Sequence, residues 1–347
     1  MYKRVLMVAI FAVGLLSHFA LANEMKAPAV NKEMASMGNG GNDMMTMSMN
    51  NHQHHHMDNL GMWMFNVMPM YMNMDGLQSG TNSVSGSSSD MMVPKSMNMY
   101  MLMFMAMYMR GDWSVMLMNS YNIKTMDMDM NMMGKTTSSS MRSEGFSDTQ
   151  VVGGYNLINT KVQKLQLQGG VSLPTGRINY SGDMPMMSDT LYGYPMQMGS
   201  GTFDPILGIN YTYFWHKLVT SAELETLQRL YKNYRSYQLG DVYQLTLLAN
   251  YQVLSLLSVG SKLQGIITTK TDGVAAGTNA NWGVDYNPAN SGGKVINLFA
   301  TARISGSGVL QGQSLAIEAG YPIYQNLNGT QMKQGWQASV ALNFMFM

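Results

Sequence analysis

The chain has 347 residues, no cysteine, 12% charged residues, and 21 basic against 20 acidic side chains. The lack of cysteine excludes a disulfide framework and any thiolate metal or redox centre. The balanced charge, with no basic arm, leaves nothing to hold nucleic acid. Charge is well below the roughly 25% of an ordinary soluble domain, yet mean hydropathy is slightly negative, and that pairing suits a chain whose residues alternate between lipid and water.

The first residues read as a secretory signal. Lys3 and Arg4 are followed by the apolar run Val5 to Leu16 and by the small-x-small pattern Ala20-Leu21-Ala22. An amphipathic cytosolic helix is the competing reading, but no polar face interrupts Val5 to Leu16. Residues 1–22 are therefore expected to be removed on export, leaving a nearly neutral chain that starts at Asn23. No later apolar run reaches the roughly 18 residues that a spanning helix needs.

Residues 23–61 are polar and rich in Met, Asn, Gly and Ser, and they contain His52, His54, His55 and His56 beside Met57. This composition predicts a flexible, disordered Met/His-rich tail. From 62 to 347 the pattern changes to segments with period-two alternation, the signature of barrel strands. They fall at 62–74, 96–109, 113–126, 149–158, 163–173, 203–215, 217–228, 239–251, 255–269, 294–304, 314–324 and 334–346.

Connections after odd-numbered segments are long or polar, and those after even-numbered segments are mostly short, as at Arg110-Gly111-Asp112 and near His216. Outer-membrane barrels place long loops outside and short turns in the periplasm. The expected fold is all-β: a closed antiparallel transmembrane β-barrel of about twelve strands, both ends periplasmic, in the bacterial outer membrane. A soluble sandwich also alternates, but its strands are shorter and its aromatics are not gathered at strand ends.

Methionine is the unusual residue. Of 41 in the chain, 31 lie between Met25 and Met141. In the second segment Met97, Met99, Met101, Met103, Met105, Met107 and Met109 occupy alternate positions and so share one face. The opposite face, Tyr100, Leu102, Phe104, Ala106 and Tyr108, is apolar with tyrosines toward its ends, as a lipid-facing stripe should be. The methionines are thus expected to face the lumen. The first segment agrees, setting Trp63, Phe65, Val67 and Tyr71 against Met62, Met64, Met68, Met70, Met72 and Met74. So does the third, setting Trp113, Val115, Leu117, Tyr121 and Ile123 against Met116, Met118, Met126 and Met128.

Thioethers are soft, uncharged donors that favour Cu(I) or Ag(I) over hard cations, and a ladder of weak sites can pass an ion along. The four tail histidines would serve one end of the ladder. At the other, the run from Met126 to Met133, with Met128, Met130, Asp127 and Asp129, is expected to join carboxylate and thioether in a collecting site. No tightly bound cofactor is expected; the ligand would be the ion itself, exchanged with a periplasmic copper-handling partner. Three other readings stay open. In the first the methionines are inert packing, in the second the protein sequesters copper without conducting, and in the third the channel carries small hydrophobic or aromatic compounds. Catalysis is not expected, since His216 is the sole histidine after the tail and no nucleophile, nucleotide-binding or HExxH motif is present.

Three stretches, Leu173-Pro174-Thr175-Gly176, Gly199-Ser200-Gly201-Thr202-Phe203-Asp204-Pro205 with Gly208, and Glu318-Ala319-Gly320-Tyr321-Pro322-Ile323-Tyr324-Gln325-Asn326-Leu327-Asn328-Gly329-Thr330-Gln331, resemble the outer-membrane channel family known for the "MetA-pathway of phenol degradation". The resemblance spans about 60 to 347. It implies the barrel, its location and a transport role in the lipid bilayer, and it carries no catalytic residues. Members with a Met- and His-rich front half, similar to this chain, occur beside copper-resistance systems.

Overall fold

A computed structural model describes residues 61–346 except 87–89, 133 and 185–186. The expected signal, all of the expected tail but Gly61, and with them His52, His54, His55 and His56, lie outside the described residues. No helix among the described residues is long and apolar enough to cross a membrane. The strands are β1 (Met62–Gly80), β2 (Asn82–Val84), β3 (Met92–Arg110), β4 (Trp113–Met132), β5 (Lys135–Phe146), β6 (Thr149–Asn159), β7 (Gln163–Leu173), β8 (Ser181–Met184), β9 (Met187–Leu191), β10 (Asp204–Trp215), β11 (Leu218–Leu227), β12 (Val242–Gln252), β13 (Leu257–Thr268), β14 (Gly293–Ser305) and β15 (Gln313–Phe346).

One sheet runs β15-β14-β13-β12-β11-β10-β7-β6-β4-β3-β1, and β1 pairs back onto β15, so every edge of the barrel is satisfied. The long β15 is two crossings joined by a hairpin. Its first part pairs with β14 and its second with β1, and the halves meet through Met345 N–H to Gly312 O at 2.9 Å and Asn343 Nδ2 to Ser314 Oγ at 3.3 Å. The barrel therefore has the twelve crossings that alternation predicted. The reversal sits at Asn328-Gly329, where Gly329 takes φ +62, a left-handed angle that glycine adopts without a Cβ clash. A loop was expected there; instead the strands continue outward to a tight turn.

A second difference lies after the third crossing. Residues 135–146 were expected to be polar loop, but β5 pairs with the upper half of β4 from Tyr121↔Phe146 to Met132↔Lys135, while the lower half of β4 pairs with β6. The hairpin thus rises above the barrel on the long-loop side. Its serines and threonines read as loop, yet the ladder is made by backbone groups that composition does not reveal.

Lipid-facing aromatics form two belts. Toward the short-turn end Trp63 meets Tyr108 at 5.0 Å and Trp113 meets Tyr155 at 4.7 Å; toward the long-loop end Tyr71 lies 5.0 Å from Tyr100 and 4.8 Å from Trp336. Such pairs add about 0.5–1.5 kcal/mol each beyond their buried area. The barrel is an outer-membrane β-barrel, and its lumen is the place to look for function.

Candidate functional site

Register places the methionines of β1, β3 and β4 in shared rungs. Met74–Met97–Met126 and Met64–Met107–Met116 each take one residue from every strand. Between them Met72, Met70 and Met68 oppose Met99, Met101 and Met103, while β4 supplies Lys124, Asn122 and Ser120. Met62 faces Met109, and Met105 lies between Asn66 and Met118. Above the outer three-residue rung, Met130 opposes Met92 and Met128 opposes Pro94. Opposed side chains on one sheet face start about 4.5–5.5 Å apart. Met64, Met68, Met97, Met105, Met107, Met116, Met126, Met128 and Met130 are buried; Met70, Met72, Met74, Met99, Met101, Met103, Met109 and Met118 are half-buried. The outward aromatics Trp63, Phe65, Tyr100, Phe104 and Trp113 are exposed to the lipid side.

The expected collecting site at the outer end does not form as written. Period two puts Asp127 and Asp129 on the face opposite Met126, Met128 and Met130. Asp127 is exposed and accepts from Ser96 at 3.3 Å; Asp129 pairs with Lys95 at 3.4 Å and Ser138 at 2.8 Å. Among the described residues no group of three or more His, Cys, Asp or Glu side chains is placed to hold a metal ion. A metal site there would have to be made of thioethers.

Loops that read as polar instead cover the methionines. Met92, Met97, Met126, Met128, Met130 and Met141 pack with Met184, Met196 and Tyr286, flanked by Tyr192 and Trp282. The turn carrying Met196 is pinned from the wall. Lys124 Nζ donates to Pro195 O at 2.8 Å and Gln197 O at 2.6 Å, and Ser143 Oγ donates to Met196 O at 2.7 Å. Tyr286 OH reaches Leu191 O at 2.9 Å, tying the loop before β14 to the loop before β10. In the loop before β14 Asp285 is buried, and among the described residues no other residue donates to either carboxylate oxygen. Burial pushes its carboxyl up to about 7, its own backbone N–H opposing the shift. Isolated methionines and aromatics in otherwise polar loops were the one sequence signal of this cover.

Sequence reading also missed an apolar row continuous with the inner three-residue rung. From Met64, Met107 and Met116 the register passes to Val152, Gly170, Ile206, Leu227 and Val242, and the side chains along it pack as one cluster. It starts near the short-turn end of β1 and finishes at the long-loop end of β12.

The remaining inner wall is polar. Lys262 Nζ meets Glu318 at 2.8 Å and sits 4.1 Å from the Phe299 ring centroid; Gln168, Asn210, Asn250 and Arg303 are also buried there. Its rim is locked by the stretches that carried the family resemblance. Asp204, fully buried, pairs with Arg229 and accepts from Ser200 Oγ at 3.0 Å and Thr202 Oγ1 at 2.7 Å. Asp148 accepts from Ser200 N–H at 2.7 Å and Gly176 N–H at 2.9 Å. Burial raises the Asp148 carboxyl above its ordinary value, against those donors and the Arg229 charge. A Cβ on Gly176 would lie 2.7 Å from Gly199 Cα, so both loops need glycine where they cross.

The barrel fold has known counterparts. The barrel superposes on an outer-membrane channel from Pseudomonas putida with TM-score 0.53 and 12% identity, covering 83% of this chain and 96% of that one. A FadL homologue from Pseudomonas aeruginosa matches with TM-score 0.41 and 9% identity over 82% of this chain and 89% of that one. The β domain of the Bordetella autotransporter BrkA gives 0.44 and 8% over 82% and 99%. No curated protein sequence matches significantly. The family model described as "Putative MetA-pathway of phenol degradation" matches residues 79–311, which is most of the chain and includes the rim-locking stretches, and the protein belongs to that family.

Proposed function

We propose that this outer-membrane barrel is a channel whose methionine wall binds and passes a soft monovalent metal ion, Cu(I) or Ag(I). The observation that carries this reading is the pair of three-methionine rungs, Met74–Met97–Met126 and Met64–Met107–Met116, joined by two-methionine rungs. Three neutral thioethers suit a soft cation and offer little to Na⁺, K⁺ or Mg²⁺. Methionine's unbranched, flexible side chain lets sulfurs from adjacent strands converge. Replacing Met97, Met99, Met101, Met103, Met105 and Met107 by Leu keeps size and apolarity but removes sulfur from both three-methionine rungs. The purified variant should fold yet lose Cu(I) binding, measured by competition with a chromogenic Cu(I) chelator. Unchanged Cu(I) binding by the folded variant would leave the methionines as packing.

A second reading is passage of small hydrophobic or aromatic compounds. It is favoured by the apolar row, because Val152, Ile206, Leu227 and Val242 offer no donor to a metal but apolar contacts to a solute that parts their packing. Replacing Ile206 and Leu227 by Asn would slow such a solute in proteoliposomes and leave Cu(I) binding unchanged.

A further inference from the structure

Arg303 is an inward residue of β14, only 3% exposed, and no carboxylate among the described residues pairs with it. Its Nη2 donates to Ser314 Oγ at 2.5 Å, while Nε and Nη1 have no hydrogen-bond partner among the described residues. The carboxylate nearest in register is Glu318, opposite Thr301, and Lys262 holds it at 2.8 Å. A guanidinium does not shed its proton in a protein. Burying it unpaired costs several kcal/mol, so the arrangement is complete only when an anion is supplied.

The surroundings say which kind. Ser314 Oγ accepts from Arg303 and, at 3.3 Å, from Asn343 Nδ2, which leaves its own hydrogen to donate. The register partner of Arg303 on β15 is Ala316, and Ala316 packs with Ala341, Met68 and Met103. Charged donors and a hydroxyl thus adjoin two methyl groups and two thioethers. An inorganic anion would leave the apolar side unmatched and a neutral apolar solute would leave the guanidinium bare. An organic acid fits both, its planar carboxylate matching guanidinium geometry.

We infer that Arg303 and Ser314 bind the carboxylate of a small organic acid whose apolar part rests on Ala316, Ala341 and the Met68–Met103 rung. The site shares the Met68–Met103 rung with the metal reading, but it uses no three-methionine rung and needs no metal.

The test is equilibrium dialysis of radiolabelled benzoate against the purified full-length protein in detergent, with benzamide and chloride as competitors. Saturable binding is expected, displaced by unlabelled benzoate but not by equal benzamide or chloride. Arg303→Gln should abolish it and Arg303→Lys should weaken it, with heat-dependent gel mobility reporting that each variant is folded. No binding by the wild type, equal binding by folded R303Q, or equal displacement by benzamide would overturn the proposal. Displacement by equal chloride would overturn the organic acid in favour of an inorganic anion. Should R303Q not fold, Ser314→Ala decides: weakened benzoate binding supports the site, and binding equal to wild type overturns it.

Discussion

The two walls of this lumen solve burial in different ways. On β1, β3 and β4 the inward side chains are mostly uncharged, flexible thioethers that make no directional bonds, so each can shift when a neighbour changes. On β10 to β15, outside the apolar row, many inward side chains are charged or amide-bearing, and several rely on one particular partner, as Lys262 does on Glu318 and Asp204 on Arg229. Loss of one partner leaves the other desolvated and unsatisfied. The difference teaches that a membrane barrel can join a tolerant wall to an intolerant one within a single hydrogen-bonded sheet, because the ladder does not depend on what fills the lumen.

The sharpest way to break that comparison is Arg229→Met. It leaves Asp204 buried with only the Ser200 and Thr202 hydroxyls, and should cost about 3–5 kcal/mol, read as a lower midpoint of heat- or urea-induced unfolding. A change within error would mean the polar rim is as forgiving as the sulfur wall. Lys124 is the exception on the tolerant side, since it is a charged side chain that bonds the loop carbonyls of Pro195 and Gln197. Lys124→Met should remove two charge-assisted bonds of about 1.5–3 kcal/mol each and speed protease cleavage near 194–197, with little effect on barrel unfolding.

Asp285 sharpens the contrast at the loop cover. Its carboxyl stays protonated up to about pH 7 in the packed loop but only to its ordinary 3.8 when the loop opens. The packed form therefore binds more protons across that window. Packing should be strongest below the lower value, weaken as pH rises and level off above the higher one. Proteolysis of 269–292 should be several-fold faster at pH 8 than at pH 5, and Asp285→Asn should remove the dependence. The smallest effect is expected from Met64→Leu, Met107→Leu and Met116→Leu together, less than about 1.5 kcal/mol for each change. A larger loss would show that the sulfur wall is as specific as the polar one.

Alternation made the strands and their faces legible, because a period of two is written directly in pairs such as Tyr100 against Met101. It could equally have separated Asp127 from Met128, yet adjacency in sequence invited a joint site that parity forbids. The row through Ile206, Leu227 and Val242 was invisible because it depends on register between strands, which a pattern along one strand does not carry. The Lys262–Glu318 pair was hidden for the same reason, since β13 and β15 lie two strands apart. The rim lock was half visible. Ser200 and Asp204 stood out as a family pattern, but only the fold shows that they clamp loops, with Asp148 and Arg229 brought in from elsewhere.

Under the second reading, the apolar row that starts at Met64 and ends at Val242 would also set a direction of travel. Strands in a barrel are tilted and staggered, so a line drawn across their register winds around the wall like the thread of a screw. A solute that keeps to this line turns about the barrel axis as it advances, meeting sulfur at one end and branched aliphatic side chains at the other. Entry and exit would then be chemically different doors on the same cylinder.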